Sequence, residues 1–208
     1  MILILDYGMG NPGSMLNMLR RIGAQAVISS DVAVVKSASA VVLPGVGAFD
    51  NGMQKLVSVG ILEPLAQRVL GDKIPFLGVC LGMQLLFDSS EEGAEHGLGW
   101  IPGHVRRFDF SQLDRSDLKI PHMGWNIASA TRADSLFKDM DRDSRFYFVH
   151  SYHAICSDAS HVLSTTEYGY PFVSAVQKDN IFGVQFHPEK SHRFGLALLK
   201  NFAELAGC

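Results

Sequence analysis

The chain predicts a three-layer α/β sandwich, with a flavodoxin-like parallel central sheet and an antiparallel C-terminal extension. Three observations carry that expectation. Short apolar runs alternate with helical stretches through the first half, the pattern of strands whose crossovers cover both faces of a parallel sheet. The second half holds closely spaced β-branched and aromatic segments separated by turn residues, the pattern of antiparallel strands. Between the halves, the run Ile74–Val79 ends abruptly at Cys80, flanked by Gly78 and Gly82. Such a corner is expected at the carboxyl end of a parallel strand, where open α/β sheets place their sites.

Taken in order, Met1–Tyr7 reads as a strand, Ser14–Ile22 as a helix, Gln25–Ser29 as a strand and Ala40–Leu43 as a strand. Residues 50–70 have helical periodicity, Ile74–Cys80 is the next strand, and Leu81–Phe87 its helix. Strands are then expected at His104–Phe110, Arg145–Ser151, His153–Cys156, His161–Glu167, Val173–Gln177 and Ile181–Phe186. A closing helix runs from His192 to Ala206 with Ser191 at its N-cap. No repeat, low-complexity tract or linker interrupts the chain, so residues 1–208 are expected to form one domain.

Composition bounds the function. A net charge of −3 offers no electrostatic attraction for nucleic acid or an anionic membrane. The three cysteines, Cys80, Cys156 and Cys208, are scattered, which suits neither a disulfide framework nor paired metal ligands. Met1–Asp6 enters a strand-like run without a basic leader, and no apolar stretch approaches the ~20 residues of a membrane span. A cytoplasmic protein is expected.

The chemistry centres on Cys80. A residue on a sharp strand-to-helix corner is held in a strained conformation, and glycines two residues either side leave room for strand and helix to cross. Amide dipoles at the helix start favour the thiolate. A free cysteine is more often a small buried hydrophobe, and the glycine spacing separates Cys80 from that fate. A thiolate that attacks a carbonyl needs a base and a group to orient it. Phe186-His187-Pro188-Glu189-Lys190-Ser191 supplies both at another strand end, with Glu189 two residues beyond His187 and so on the same side of an extended chain. The Leu81 amide is one expected oxyanion donor. The turn Pro44-Gly45-Val46-Gly47 offers a second.

Together, Gly78–Gln84 and Phe186–Ser191 resemble the motifs of class I (triad) glutamine amidotransferases. Asp6-Tyr7-Gly8-Met9-Gly10-Asn11, Pro44–Phe49, Pro121–Asn126 and Tyr147–Tyr152 narrow the likeness to the glutaminase subunits of imidazole glycerol phosphate synthase, along the whole chain. The resemblance implies glutamine hydrolysis, with Cys80 as nucleophile, His187 as proton carrier and Glu189 orienting it. Val46 and Leu81 would bind the oxyanion, and Gly45, Gln84, His150, Ser151 and Tyr152 would hold substrate. Ammonia would pass to a (β/α)8-barrel cyclase subunit of the HisF type, with Asn11, Met123, Trp125 and Asn126 toward that partner. No metal or organic cofactor is implied. The segments Asn11–Ser14 and Ser191–Gly195 depart from the family pattern. Paralogues that feed sugar-modifying partners in surface-polysaccharide pathways share the catalytic motifs, so the acceptor stays open here.

Other readings have less behind them. Gly8-Met9-Gly10-Asn11-Pro12-Gly13, with Asp31 beyond the next strand, matches the dinucleotide fingerprint in form. Pro12, however, intrudes where phosphate-facing amides are wanted. A cysteine peptidase or γ-glutamyl hydrolase could use the same triad. His150 and His153, three apart in expected strand, should face opposite ways and His122 is distant, so zinc spacing is absent. Trp100 and Trp125 are expected to pack in the core or an interface, and Cys156 and Cys208 to be structural.

Overall fold

The computed structural model describes residues 1–207 apart from 114, 116, 133 and 134, so Cys208 lies outside the described residues. The first half runs β1 (Ile2–Leu5), α1 (Pro12–Arg21), β2 (Ala26–Ser29), α2 (Val32–Ser37), β3 (Ala40–Gly45), α3 (Phe49–Ser58), α4 (Leu62–Ala66), β4 (Phe76–Cys80) and α5 (Leu81–Gln84). There follow β5 (Ser89–Ser90), β6 (Gly103–Arg107), β7 (His122–Ile127), β8 (Ser129–Ala130), β9 (Arg145–His150) and β10 (Tyr152–Cys156). The last elements are β11 (Val162–Tyr168), β12 (Tyr170–Lys178), β13 (Ile181–Val184) and α6 (His192–Leu205).

One large sheet has the order β2-β1-β3-β4-β13-β12-β10-β6-β5, with β11 on β12 and β8 on β11. From β2 to β13 the pairings are parallel, and β13–β12, β12–β10 and β10–β6 are antiparallel. β13 is therefore the junction between the two regions. Its parallel register sets Val184 opposite Val79, so the chain leaving β13 passes the end of β4. β7 and β9 form a separate antiparallel ribbon.

The central strands read as continuous apolar runs because both their faces are covered. Leu3, Leu5, Val41 and Leu43 point into one core with Phe49, Leu56 and Leu65. Ile2, Ile4, Ala40 and Val42 alternate into the other with Met15, Leu19, Leu198 and Phe202. Each of these aliphatic side chains is fully buried, and for one the size of leucine that contributes about 1.5–3 kcal/mol.

Local chemistry revises two expected elements and adds a third. The 50–70 helix is broken by Gly60, whose φ of +71° ends α3; α4 then runs into a π-helical turn over Gln67–Gly71. The Leu81–Phe87 helix closes after one turn, because the carbonyls of Leu85, Leu86 and Phe87 accept from Leu98, Ile101 and Gly99 instead. A helix not expected, α2, starts at Asp31, whose carboxylate accepts from the Ala33 amide at 2.7 Å. Asn11 likewise caps α1 by accepting from Ser14 N at 3.1 Å. Both ends of the dinucleotide-like pattern are thus engaged in ordinary helix capping.

Ser191 occupies the N-cap of α6 but makes no side-chain cap. Its hydroxyl donates to the His187 carbonyl at 2.6 Å and accepts from Tyr147 N at 3.0 Å, tying the β13 exit to β9.

Candidate active site

Cys80 is the last residue of β4 and has φ +54°, ψ −109°. A non-glycine residue with positive φ stores on the order of 1–3 kcal/mol. The two flanking glycines make the corner possible. A methyl on Gly82 would lie 1.9 Å from the Leu43 carbonyl oxygen, and one on Gly78 would lie 2.4 Å from the Gly82 carbonyl oxygen. Both obstacles are backbone, so no side-chain adjustment could admit the extra carbon.

His187 follows β13 and is anchored by its own amide, which donates to the Tyr147 carbonyl at 2.9 Å. Residues Pro188–Lys190 form a 3₁₀ turn, not the extended segment expected. That turn folds Glu189 back so that its Oε1 lies 2.7 Å from His187 Nδ1, with both side chains almost wholly buried. The carboxylate can only accept, so Nδ1 carries a proton and Nε2 is the working nitrogen. Nε2 is buried without a hydrogen bond. Burial by itself would lower the His187 pKa. The Cys80 sulfur and Glu189 outweigh it and raise the value to about 10. His187 is therefore biased toward the imidazolium.

Cys80 and His187 open onto a cleft of about 470 Å³, lined also by Val46, Leu81, Gln84, His150, Ser151 and Tyr152. Val46 stands exposed on its turn, while the Leu81 side chain is buried beneath the elbow. Gly45, expected to hold substrate, ends β3 next to the exposed Val46 of the cleft wall. A methyl there would meet the Tyr7 hydroxyl at 2.7 Å and Leu81 Cβ at 2.9 Å, so Gly45 permits close packing of the turn on the elbow. A second hollow, about 760 Å³ between α2 and α4, has neither cysteine nor histidine in its wall.

Three site residues were not legible beforehand. Glu92 lines the cleft, and its Oε2 accepts from the Phe49 amide at 2.9 Å, which fixes the loop after β5 to the start of α3. Its carboxyl is pushed up by burial. Gln185, wholly buried, places Nε2 at 3.8 Å from the Cys80 sulfur. The Tyr7 hydroxyl is buried without a hydrogen bond under Gly45, and burial with the nearby Cys80 raises its pKa. Tyr7 lay in the Asp6–Asn11 motif and Gln185 in the expected strand Ile181–Phe186, but only the fold sets them beside the sulfur.

The expected separation of the histidines is wrong. β9 ends at His150 and β10 begins at Tyr152, so the chain turns between His150 and His153 and alternation does not carry across. Both rings pack on Phe108, and His122 reaches His150 across the β7–β9 register with Nδ1···Nε2 at 3.0 Å. Burial lowers all three, to about 4 for His122, 3 for His150 and 4 for His153. Among the described residues no three metal-binding side chains are placed to hold an ion.

Strand alternation also divides the expected partner face. Met123 and Trp125 project outward, 62% and 47% exposed, with Trp125 stacked on His192. Asn126, by contrast, is half-buried on the other face of the strand and donates to the Glu167 carbonyl at 2.8 Å. Asn11 is exposed, with its side chain spent on the α1 cap.

A strained cysteine on a strand-to-helix corner, next to a histidine held by a carboxylate, defines a thiol-nucleophile amide-cleaving protein on a three-layer α/β fold. The chain belongs to the glutamine amidotransferase class-I family, whose profile matches residues 3–205. It is 50% identical over 206 residues to imidazole glycerol phosphate synthase subunit HisH 2 of Methanococcus maripaludis, covering 99% of this chain and 100% of that one. With the HisH subunit of Geobacter metallireducens it shares 50% over 204 residues, 97% of each chain. Among solved structures, one component of a putative GMP synthase from Thermoplasma acidophilum shares the fold with a TM-score of 0.73 at 19% identity, over 99% of this chain and 93% of that one. A crystal structure titled glutamine amidotransferase superposes with a TM-score of 0.71 at 18% identity, over 99% of both chains.

Proposed function

We propose that the chain is the cytoplasmic glutaminase subunit of imidazole glycerol phosphate synthase, releasing ammonia from glutamine for a (β/α)8-barrel partner in histidine biosynthesis. The observation that carries the reading is the Cys80 elbow facing an imidazole locked by Glu189 at 2.7 Å. Full-length likeness to HisH subunits supports the choice of substrate and acceptor.

The thiolate attacks the side-chain amide carbon of glutamine. The tetrahedral oxyanion is received by the Leu81 amide and, once the exposed turn orients its peptide, by the Val46 amide; each such donor is worth roughly 3 kcal/mol in the transition state. His187, protonated at rest, gives its Nε2 proton to the departing ammonia. The resulting thioester is hydrolysed by water that neutral His187 deprotonates, and glutamate leaves. Glu189 keeps the imidazole in the right tautomer and stabilises its charged form. At the cleft, Glu92 is the acidic side chain available to pair with the substrate α-ammonium, with Oε1 uncommitted. Met123 and Trp125 form the outward patch for the partner.

The test is synthesis by the assembled pair. Cys80→Ala abolishes the glutamine-dependent reaction and leaves the ammonium-dependent one. Equal loss of both would refute the division of labour. Replacing the histidine-pathway barrel with a sugar-modifying partner in the same assay separates the two acceptors.

A further inference from the structure

The geometry points to Gln185 as a further catalytic residue, a hydrogen-bond donor to the Cys80 sulfur whose amide is held in the donating orientation by the side-chain amide of Gln84. This rests on Cys80 being the nucleophile. Gln185 is wholly buried just beyond β13, two residues before His187, and its Nε2 contacts Sγ at 3.8 Å. Nothing in the triad or the oxyanion hole requires a buried amide there.

The direction of every link follows from chemistry. The Tyr152 carbonyl can only accept, and Gln84 faces it with Nε2 at 3.2 Å. The same NH₂ lies 3.1 Å from Gln185, which must then present Oε1 to it and turn its own NH₂ to the sulfur. Reversing the Gln185 amide would set NH₂ against NH₂. The Tyr152 carbonyl also receives His150 Nδ1 at 2.7 Å, which leaves Nε2 of the neutral His150 ring to accept from His122 Nδ1 at 3.0 Å. His122 Nε2 then accepts from Asn126 Nδ2 at 3.4 Å. Two runs therefore meet at the Tyr152 carbonyl, one from Asn126 on β7 through His122 and His150 and the other from Gln84, and Gln84 alone continues through Gln185 to the sulfur. A donor on the sulfur stabilises thiolate over thiol and offsets the burial of its charge.

The experiment measures the pH profile of Cys80 alkylation by iodoacetamide, with glutamine kinetics of the assembled pair, for wild type, Gln185→Met and Gln185→Glu. Gln185→Met keeps the volume and removes the donor. Gln185→Glu keeps the acceptor for Gln84 and turns a carboxylate to the sulfur. The expected result is a midpoint raised by about one to two pH units in Gln185→Met and by at least as much in Gln185→Glu, with kcat down about 10- to 100-fold and KM within about two-fold. Superimposable alkylation profiles in a folded variant overturn the proposal while leaving the glutaminase reading intact. A wild-type chain with neither alkylation nor glutaminase activity overturns both. Should the variants not fold, ¹⁵N-glutamine labelling of the wild type decides. The Gln185 side-chain amide is expected to shift as the thiol ionises and to lose that response after alkylation, and an amide indifferent to both overturns the proposal.

Discussion

Replacing Gly82 with alanine tests whether the geometry of the elbow, and not merely the presence of its cysteine, produces the activity. The added methyl would sit 1.9 Å from the Leu43 carbonyl oxygen, whereas real Cβ atoms essentially never come within 3.0 Å of another atom. The obstacle is the backbone of β3, paired on both sides by β1 and β4, so the start of α5 must withdraw by about 1 Å. Cys80 and Leu81 move with it, displacing nucleophile and oxyanion donor from His187. A misplacement of about 1 Å costs roughly 100-fold in rate, and overpacking costs about 1–3 kcal/mol of stability. The expected outcome is a glutaminase kcat reduced about 100-fold or more in a chain that still folds, with ammonium-dependent synthesis by the pair retained. Steady-state kinetics and thermal unfolding read both quantities. Gly13→Ala is the control, because a methyl there meets only Asn11 Oδ1 at 3.8 Å, and it should leave both unchanged. A Gly82→Ala protein with kcat within two-fold of wild type would show that the steric reasoning about the corner is wrong.

Glu189→Gln removes one of the two groups that hold His187 high, so the alkaline limb of kcat/KM should move to lower pH by about one to two units, with kcat reduced; an unmoved limb contradicts the orienting role. The sign of the linked stability follows: the stabilisation from the raised His187 is complete below its unfolded value near 6.5 and is lost as pH climbs toward 10. His122, His150 and His153 act oppositely. Their depressed values mean that the unfolded chain protonates first, so stability present above pH 6.5 falls by up to about 1.4 kcal/mol per pH unit per histidine on acidification toward 4. Urea midpoints measured from pH 7 to 4.5 should drop steeply, and a flat profile contradicts the buried neutral cluster. Trp125→Ala should weaken partner binding by about 30-fold or more, as loss of a central aromatic anchor does, without changing thermal stability. Asn126→Ala should do the reverse, lowering the unfolding temperature through the lost bond to Glu167. Calorimetric titration and thermal scans separate the two.

Local signals in the sequence were sufficient for much of this. Gly78-x-Cys80-x-Gly82 marks the corner because only glycine tolerates backbone atoms at under 3 Å. His187 and Glu189 are two residues apart, so their contact hardly depends on the rest of the chain, although the turn that makes it is 3₁₀ and not extended. The short apolar runs identify the central parallel strands because β1, β3, β4 and β13 are each buried on both faces. Loop geometry was less legible. The end of α5 is set by carbonyls that find partners around residues 98–101, and the break at Gly60 by one positive φ.

The set of reacting groups and the layered α/β plan were readable from the order of residues, since both rest on neighbours in the chain. What surrounds those groups was settled by the folded arrangement. Placing β13 beside β4 brings Gln185 to a sulfur 105 residues away, and pairing β7 with β9 brings His122 to His150 across 28. Pairing strands by register is a global choice, made by burying whole faces at once. No local pattern of residues encodes which distant side chain will stand opposite.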